Sequence, residues 1–221
     1  MQIPLRLVRA DARELLAALP AASVDLILTD PPYHFDRGHT YFRQWFPELP
    51  DEAWPEIFAG LFRVLRADRH AYVFSDTRTR PVFEAAAKAA GFEVKTPIVW
   101  DKISVGLGAG TWRPRYELIL FFTKGSRPGN RRDRGNVLAA KRVFRGYPTE
   151  KPVPLLRELI DQSSRRGEVV FDPFCGSGST GVAARMLERR TLLGDLDPST
   201  AALRLGIAAE ALPKRRGEEA A

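Results

Sequence analysis

Four consecutive residues, Asp30-Pro31-Pro32-Tyr33, stand directly after the apolar run Val24-Asp-Leu-Ile-Leu-Thr. Proline has no amide hydrogen, so two in succession end a strand ladder and leave carbonyl oxygens pointing outward. The result is a rigid pair of acceptors, the Asp30 carboxylate and the Pro31 carbonyl, with the Tyr33 ring beside them. Such a set suits gripping both hydrogens of an NH2 group while a flat ring stacks on the tyrosine. An ordinary turn is the alternative for these four residues taken alone.

A second constellation begins at Glu168-Val-Val-Phe171-Asp172-Pro-Phe174-Cys-Gly176-Ser-Gly178-Ser-Thr180-Gly181 and reads as strand, glycine-rich turn and helix. Gly176-x-Gly178-x-x-Gly181 has the spacing of a nucleotide-binding turn, in which glycine permits close backbone approach and the helix start offers open amides. Asp195 closes the next apolar run, where a carboxylate can accept from both ribose hydroxyls. Glycines that merely let a helix pack on a strand are the bland reading. The acid at the strand end, Asp172, selects among ligands: it repels a pyrophosphate and attracts an ammonium. That favours S-adenosylmethionine, with its amino-acid tail and no phosphates, over NAD.

Regular elements must hold these pieces in place. Short β-branched runs alternate with Ala/Leu-rich amphipathic runs, the pattern of a mostly parallel sheet. Strands are expected over residues 5–8, 24–29, 70–74, 95–100, 117–123, 168–171 and 191–194. Helices are expected over 12–18, 52–64, 79–90, 153–162, 180–188 and 199–209. Asp11 and Ser199 near helix starts, Pro81 in a first turn and Gly91 at a helix end fit this division. The expected fold class is α/β, one doubly wound seven-stranded sheet with helices on both faces. Residues 34–50 and 124–145 stand outside the regular alternation. The aromatics of the first stretch, with Arg37 and Arg43, suit either a cover packed on the domain or a closure over a bound base.

The chain has 221 residues, an ordinary apolar content of 44% and a single cysteine, Cys175. A length of that order suits one domain. One cysteine excludes a disulfide framework and fits a reducing compartment. His34, His39 and His70 have no metal-ligand spacing among themselves or with Cys175, so no metal is expected. The start of the sequence has no long apolar run, and nowhere is there a stretch long enough for a membrane helix, which points to a soluble, cytoplasmic protein. The net charge of +7 falls in one segment, where Lys124, Arg127, Arg131, Arg132, Arg134, Lys141, Arg142 and Arg145 face one acid, Asp133. A neutral domain with one basic stretch is the footprint of a polyanion binder, a solvated loop being the other reading.

Taken together, Asp-Pro-Pro-Tyr and Phe-Asp-Pro-Phe-Cys-Gly-Ser-Gly-Ser-Thr resemble the amino-methyltransferases of DNA, which methylate adenine N6 or cytosine N4. The acceptor motif precedes the glycine loop, which resembles the circularly permuted β group of that family. Tyr147-Pro-Thr149-Glu-Lys151-Pro is similar to its His-Pro-Thr-x-Lys-Pro segment at the methionine end of the cofactor. Leu193-Gly194-Asp195 is similar to its ribose motif, and Val8-Arg-Ala-Asp11 to the strand whose acid meets the cofactor adenine. Arg113-Pro-Arg115-Tyr116-Glu117 is similar to its Arg-x-x-His-Glu strand near the base pocket. Tyr147 and Tyr116 stand where the family usually has His, and Asp195 where it has Glu.

The resemblance implies a Rossmann-like methyltransferase domain over residues 1–221, with a short basic insertion resembling a target-recognition element over 124–147. It implies S-adenosylmethionine as cofactor, held by Asp11, Thr149, Lys151, Phe171, Asp172, Phe174, Gly176, Gly178, Thr180 and Asp195. Asp30, Pro31, Pro32 and Tyr33 are the expected catalytic residues, acting on a base flipped from double-stranded DNA, adenine favoured over cytosine. The expected DNA contacts are Arg113, Arg115, Lys124, Arg127, Arg131, Arg132, Arg134, Lys141, Arg142 and Arg145. Cys175 lies in the cofactor loop and is read as a packing residue, not a nucleophile. A homodimer and a cognate restriction nuclease are open as partners. The competing functions are an RNA or protein amino-group methyltransferase, an NAD-dependent oxidoreductase and a silent DNA-binding module.

Overall fold

The computed structural model describes residues 5–32, 49–105, 112–144 and 147–212. The strands, numbered along the chain, are β1 (Leu5–Arg9), β2 (Val24–Thr29), β3 (Leu65–Ser75), β4 (Glu93–Val94) and β5 (Ile98–Asp101). They continue with β6 (Tyr116–Lys124), β7 (Val137–Ala139), β8 (Val169–Asp172), β9 (Arg190–Asp195) and β10 (Glu210–Ala211). The helices are α1 (Ala12–Ala18), α2 (Trp54–Val64), α3 (Arg80–Ala90), α4 (Val153–Ser163), α5 (Ser179–Met186) and α6 (Ser199–Leu205).

All ten strands join one sheet in the order β10-β1-β9-β8-β2-β3-β6-β5-β7, with β4 also on β6. Pairing is parallel except where β6 runs against β3, β4 and β5. Strand β2 is buried along its full length, as a central strand covered on both faces must be. Its side chains alternate: Ile27 packs with α1, α2 and α3 on one face. Leu26 and Leu28 pack with α4 and α5 on the other. Helix α6 closes a smaller cluster with Leu7, Cys175 and Leu193.

Among the described residues the sheet has ten strands, three more than the seven expected. β4, β7 and β10 are two or three residues long, too short to carry a periodic signal. The stretch 95–100 is broken at Pro97, so that β4 and β5 flank it. Helix α6 stops four residues early, because Gly206 takes a left-handed φ of 68° at its C-terminus. Among the described residues no helix is long and apolar enough to cross a membrane.

The chain leaves β8 through α5 towards β9 and β1, and leaves β2 through α2 towards β3. The carboxyl ends of β2 and β8, adjacent strands, are therefore the switch point of the sheet, where open α/β sheets hold their ligands.

Candidate active site

A cavity of about 420 Å³ opens at this switch point. Its wall is drawn from strand ends that are distant in sequence: Asp11 after β1, Asp30 to Pro32 after β2, Asp172 at the end of β8 and Asp195 at the end of β9. Thr149 and Lys151, from the segment that leads into α4, complete one side, with Phe174, Gly176 and Thr180 of the glycine loop. Both sequence motifs thus meet in one space. Six acids (Asp11, Asp30, Glu150, Asp172, Asp195 and Asp197) line it against a single lysine, among the described residues. Such a wall repels phosphates and favours a cationic or hydroxyl-rich ligand.

Each carboxylate is held differently. Asp172, 2% exposed, accepts from Thr29 Oγ1 at 2.7 Å and from the Phe174 amide at 3.1 Å. Thr180 also donates to it, yet burial outweighs these neutral donors and pushes its carboxyl up to about 7. Asp195 accepts from the Gly176 amide at 2.8 Å and the Asp197 amide at 3.0 Å, tying the glycine loop to the end of β9. Burial raises its carboxyl above the usual range. Asp11 caps α1 through the Arg13 amide at 2.8 Å and takes the Arg13 guanidinium on both oxygens at 3.0 Å. Those hydrogen bonds from Arg13 hold it below the usual range.

Lys151 lines the cavity and also contacts the Asp-Pro-Pro motif. Its buried ammonium forms an ion pair with Asp30, stands 5.1 Å over the Phe74 ring and lies 3.7 Å from Glu117. Charge attraction to Asp30 and Glu117 raises its pKa in spite of the cost of burial. The lysine therefore sits on the Asp-Pro-Pro side of the cavity.

The glycines have separate tasks. Gly176 has φ 46° and a Cβ there would lie 3.1 Å from the Tyr147 ring, so the loop and Tyr147 are in contact. Gly178 has φ 75°, and its Cβ would meet Ala201 of α6 at 3.0 Å. Gly178 thus serves helix packing and lies outside the cavity wall. Phe171, also expected at the cofactor, is wholly buried in the core beneath α1 and α2 and does not line the cavity. Strand alternation explains this, since Phe171 points to the opposite face from Val170.

The contacts of three residues, Thr29, Lys102 and Arg204, were not foreseen. Thr29 holds Asp172 across two strands, and Lys102 binds Glu117 at 2.7 Å. Arg204 of α6 binds Glu150 at 2.8 Å and reaches Ser177 and Ser179 of the glycine loop at 3.3 and 3.1 Å. None of these pairs lies within one sequence motif, so no local pattern could reveal them.

The basic stretch does not form one surface. Lys124 ends β6 opposite Arg69, at the sheet edge away from the cavity, and its ammonium donates to the Phe62 and Leu65 carbonyls at 2.7 Å. Arg127 lies by Glu168 at the same edge. Arg134 is bound by Glu158 and Asp161 of α4, while Arg131 pairs with Asp133 beside Gln162. The adjacent Arg132 is exposed there. Strand β7 then carries the chain alongside β5 to the cavity edge, where Lys141 and Arg142 follow. Arg113 and the Asp101-paired Arg115 precede β6 on that same edge. Tyr33 and Arg145, and most of the stretch 34–50, lie outside the described residues.

The DNA methylase family matches residues 24–204, from the first residue of β2 into α6. The chain belongs to the DNA methylase family. The match spans both motifs and most of the cavity wall, and the family comprises amino-methyltransferases of the N6/N4 kind. Among curated methylases, the DNA adenine methyltransferase YhdJ of Escherichia coli is 28% identical over 217 residues, 80% of this chain and 74% of that one. The type II methyltransferase M.HpaI of Haemophilus parainfluenzae is 27% identical over 214 residues, 83% of this chain and 68% of its own. Among solved structures, TTHA0409 of Thermus thermophilus, described as a putative DNA modification methylase, aligns with a TM-score of 0.71 at 25% identity. It covers 95% of this chain and 99% of its own. The complex of M1.HpyAVI with S-adenosylmethionine has the same methylase fold, with a TM-score of 0.70 at 23% identity over 90% of this chain and 99% of its own.

Proposed function

We propose that this DNA methylase transfers a methyl group from S-adenosylmethionine to the exocyclic amine of a base in double-stranded DNA, adenine N6 in preference to cytosine N4. The observation that carries the reading is the single cavity that joins the Asp30-Pro31-Pro32 acceptors to an acid-rich glycine-loop wall. The donor set fits the cofactor. Asp172, buried among neutral donors, suits its ammonium, Asp195 its ribose and Asp11 its adenine, and the complexes of M1.HpyAVI and TTHA0409 with S-adenosylmethionine support the same choice. When bound, that cofactor supplies an electrophilic methyl group on a sulfonium sulfur.

The residues act by positioning and electrostatics. An aromatic amine is a weak nucleophile because its lone pair is shared with the ring. Hydrogen bonds from its two N–H groups to Asp30 and the Pro31 carbonyl favour a pyramidal nitrogen and free the lone pair for in-line attack. Lys151 pairs with Asp30 and fixes its direction. A base stacked in a duplex cannot reach these acceptors, so the target is flipped out, with Tyr33 the ring that stacks on it. Asp at the first motif position and the similarity to an adenine methyltransferase support adenine.

The test uses the purified chain, methyl-labelled S-adenosylmethionine and unmethylated bacterial DNA, followed by nucleoside chromatography. Label in N6-methyladenine is expected. Label in N4-methylcytosine overturns the base assignment, label only in RNA or protein overturns the substrate class, and absence of transfer overturns the activity.

A further inference from the structure

A chain of four alternating charges runs from the cavity wall into the protein, and the methyl-transfer reading uses only its first two, Asp30 and Lys151. Asp30 follows β2, Lys151 precedes α4, Glu117 lies on β6 and Lys102 follows β5. Lys151 binds Asp30, stands 3.7 Å from Glu117 Oε2, and Glu117 Oε1 in turn lies 2.7 Å from Lys102. Lys102 and Lys151 are 9% and 7% exposed, and each ammonium sits over an aromatic ring, Trp100 at 5.6 Å and Phe74 at 5.1 Å. Asp30 and Lys151 line the cavity, whereas Glu117 and Lys102 do not.

We propose that Glu117, itself anchored by Lys102, is a positioning residue for catalysis: it holds the Lys151 ammonium in place, and through it the orientation and charge of the Asp30 acceptor.

The argument is one of charge balance in a poorly hydrated site. An ammonium as buried as Lys151 is costly unless anions face it, and Asp30 alone would leave it one partner that must also receive the substrate amine. Glu117 supplies the second anion from outside the cavity, so Asp30 is not drawn wholly onto the lysine. Among the described residues, the charged and titratable groups facing this lysine and its two carboxylates are Lys102, Arg142 after β7, Asp172 and Tyr147. The attraction to Asp30 and Glu117 raises the Lys151 pKa, and the attraction of Lys151 and Lys102 lowers that of Glu117. Both directions keep Lys151 and Glu117 in their ionised forms.

The inference rests on the proposed role of Asp30, and its test separates the two. Wild-type chain, Glu117→Gln and Glu117→Asp are compared by methyl transfer to unmethylated bacterial DNA across pH. Lys151 is also probed without turnover, by competitive acetylation and mass spectrometry of its peptide. Removing one anion from a buried lysine should lower its pKa by about one unit or more. In Glu117→Gln, kcat should fall about tenfold, with the KM for S-adenosylmethionine within about twofold of wild type and the alkaline limb moved to lower pH. Lys151 should acetylate at correspondingly lower pH, and Glu117→Asp should restore most of both properties.

Unchanged kcat, pH profile and Lys151 reactivity in folded Glu117→Gln would overturn the proposal, as would equal impairment of the Asp variant. Should Glu117→Gln fail to fold, Lys102→Gln decides. Loss of that cation should move the alkaline limb and the Lys151 acetylation profile upward, and a downward shift would overturn the proposal. A wild-type chain that transfers no methyl group, yet shows the expected Lys151 shifts, would refute the activity and leave the coupling standing.

Discussion

Asp25 and Asp172 sit at opposite ends of two paired strands, and each is 2% exposed. Burial pushes both carboxyls up, but their surroundings answer differently. Asp25, near the start of β2, accepts from Arg66 at 2.7 Å, Arg69 at 3.3 Å and the Val169 amide at 2.9 Å, and ends below the usual range. Asp172, at the end of β8, meets hydroxyls and an amide and stays at about 7. One end of the sheet neutralises its buried acid with the protein's own arginines. The other surrounds its acid with neutral donors among the described residues, the arrangement that the proposed ammonium site requires.

The comparison can be broken at several points, beginning with the acceptor itself. Asp30→Ala should lower methyl transfer by about 1,000-fold, the upper range for loss of one group that stabilises developing charge. Affinity for S-adenosylmethionine by calorimetry should hold within about twofold, and a variant keeping most of its rate would remove Asp30 from the mechanism.

Next in size is the structural acid. Asp25→Ala strands the Arg66 and Arg69 guanidinium groups and the Val169 amide, and should cost about 2–3 kcal/mol in chemical denaturation. That is below the full figure for a broken buried pair, because Arg66 is half exposed. Activity per folded molecule should not change.

Asp172→Asn should act in the reverse sense, weakening cofactor binding about tenfold at neutral pH while sparing the fold. Its pH dependence follows from the sign of the shift. A carboxyl raised to about 7 stabilises the ligand-free fold fully below the ordinary carboxylate range, and that contribution is lost as pH rises through about 7. Wild-type stability should therefore decline over that window and the Asn variant should lack this component. Binding of a cationic ligand should release a proton near neutrality, which calorimetry in buffers of different ionisation heat detects.

The smallest effect concerns the two groups of basic residues. Replacing Lys141 and Arg142 by Gln should flatten the slope of log affinity for duplex DNA against log salt by about 1–2. The same change at Arg131 and Arg132 should leave the slope within error. Equal slopes for the two variants would mean that DNA reaches both edges of the sheet.

How far the sequence could be read follows from the range of each signal. Asp30-Pro31-Pro32 and the Gly176 turn were legible because proline and glycine dictate the backbone locally. Asp11 was legible as a helix cap. Four of the six acids that share the cavity, Asp11, Asp30, Asp172 and Asp195, could be named individually because each stands at or just after the end of a strand, whereas Glu150 and Asp197 could not. That Phe171 and Gly178 lie outside the cavity wall was not legible, because belonging to a motif says nothing about which face a residue takes. The basic stretch read as one surface because charge along a sequence ignores folding, and the three residues of β7 that carry its second half to the cavity edge are too few to signal a strand. Thr29, Glu117 and Arg204 act on partners that only the sheet order brings near.

Cys175 gives the glycine loop a clock. It is the sole thiol of the chain, 6% exposed in the cavity wall, and burial pushes its pKa well above the ordinary thiol range. In the closed loop it meets an alkylating reagent neither as an accessible group nor as a thiolate. Modification therefore waits on an excursion of the loop, and its rate at saturating reagent counts how often the wall of the site opens.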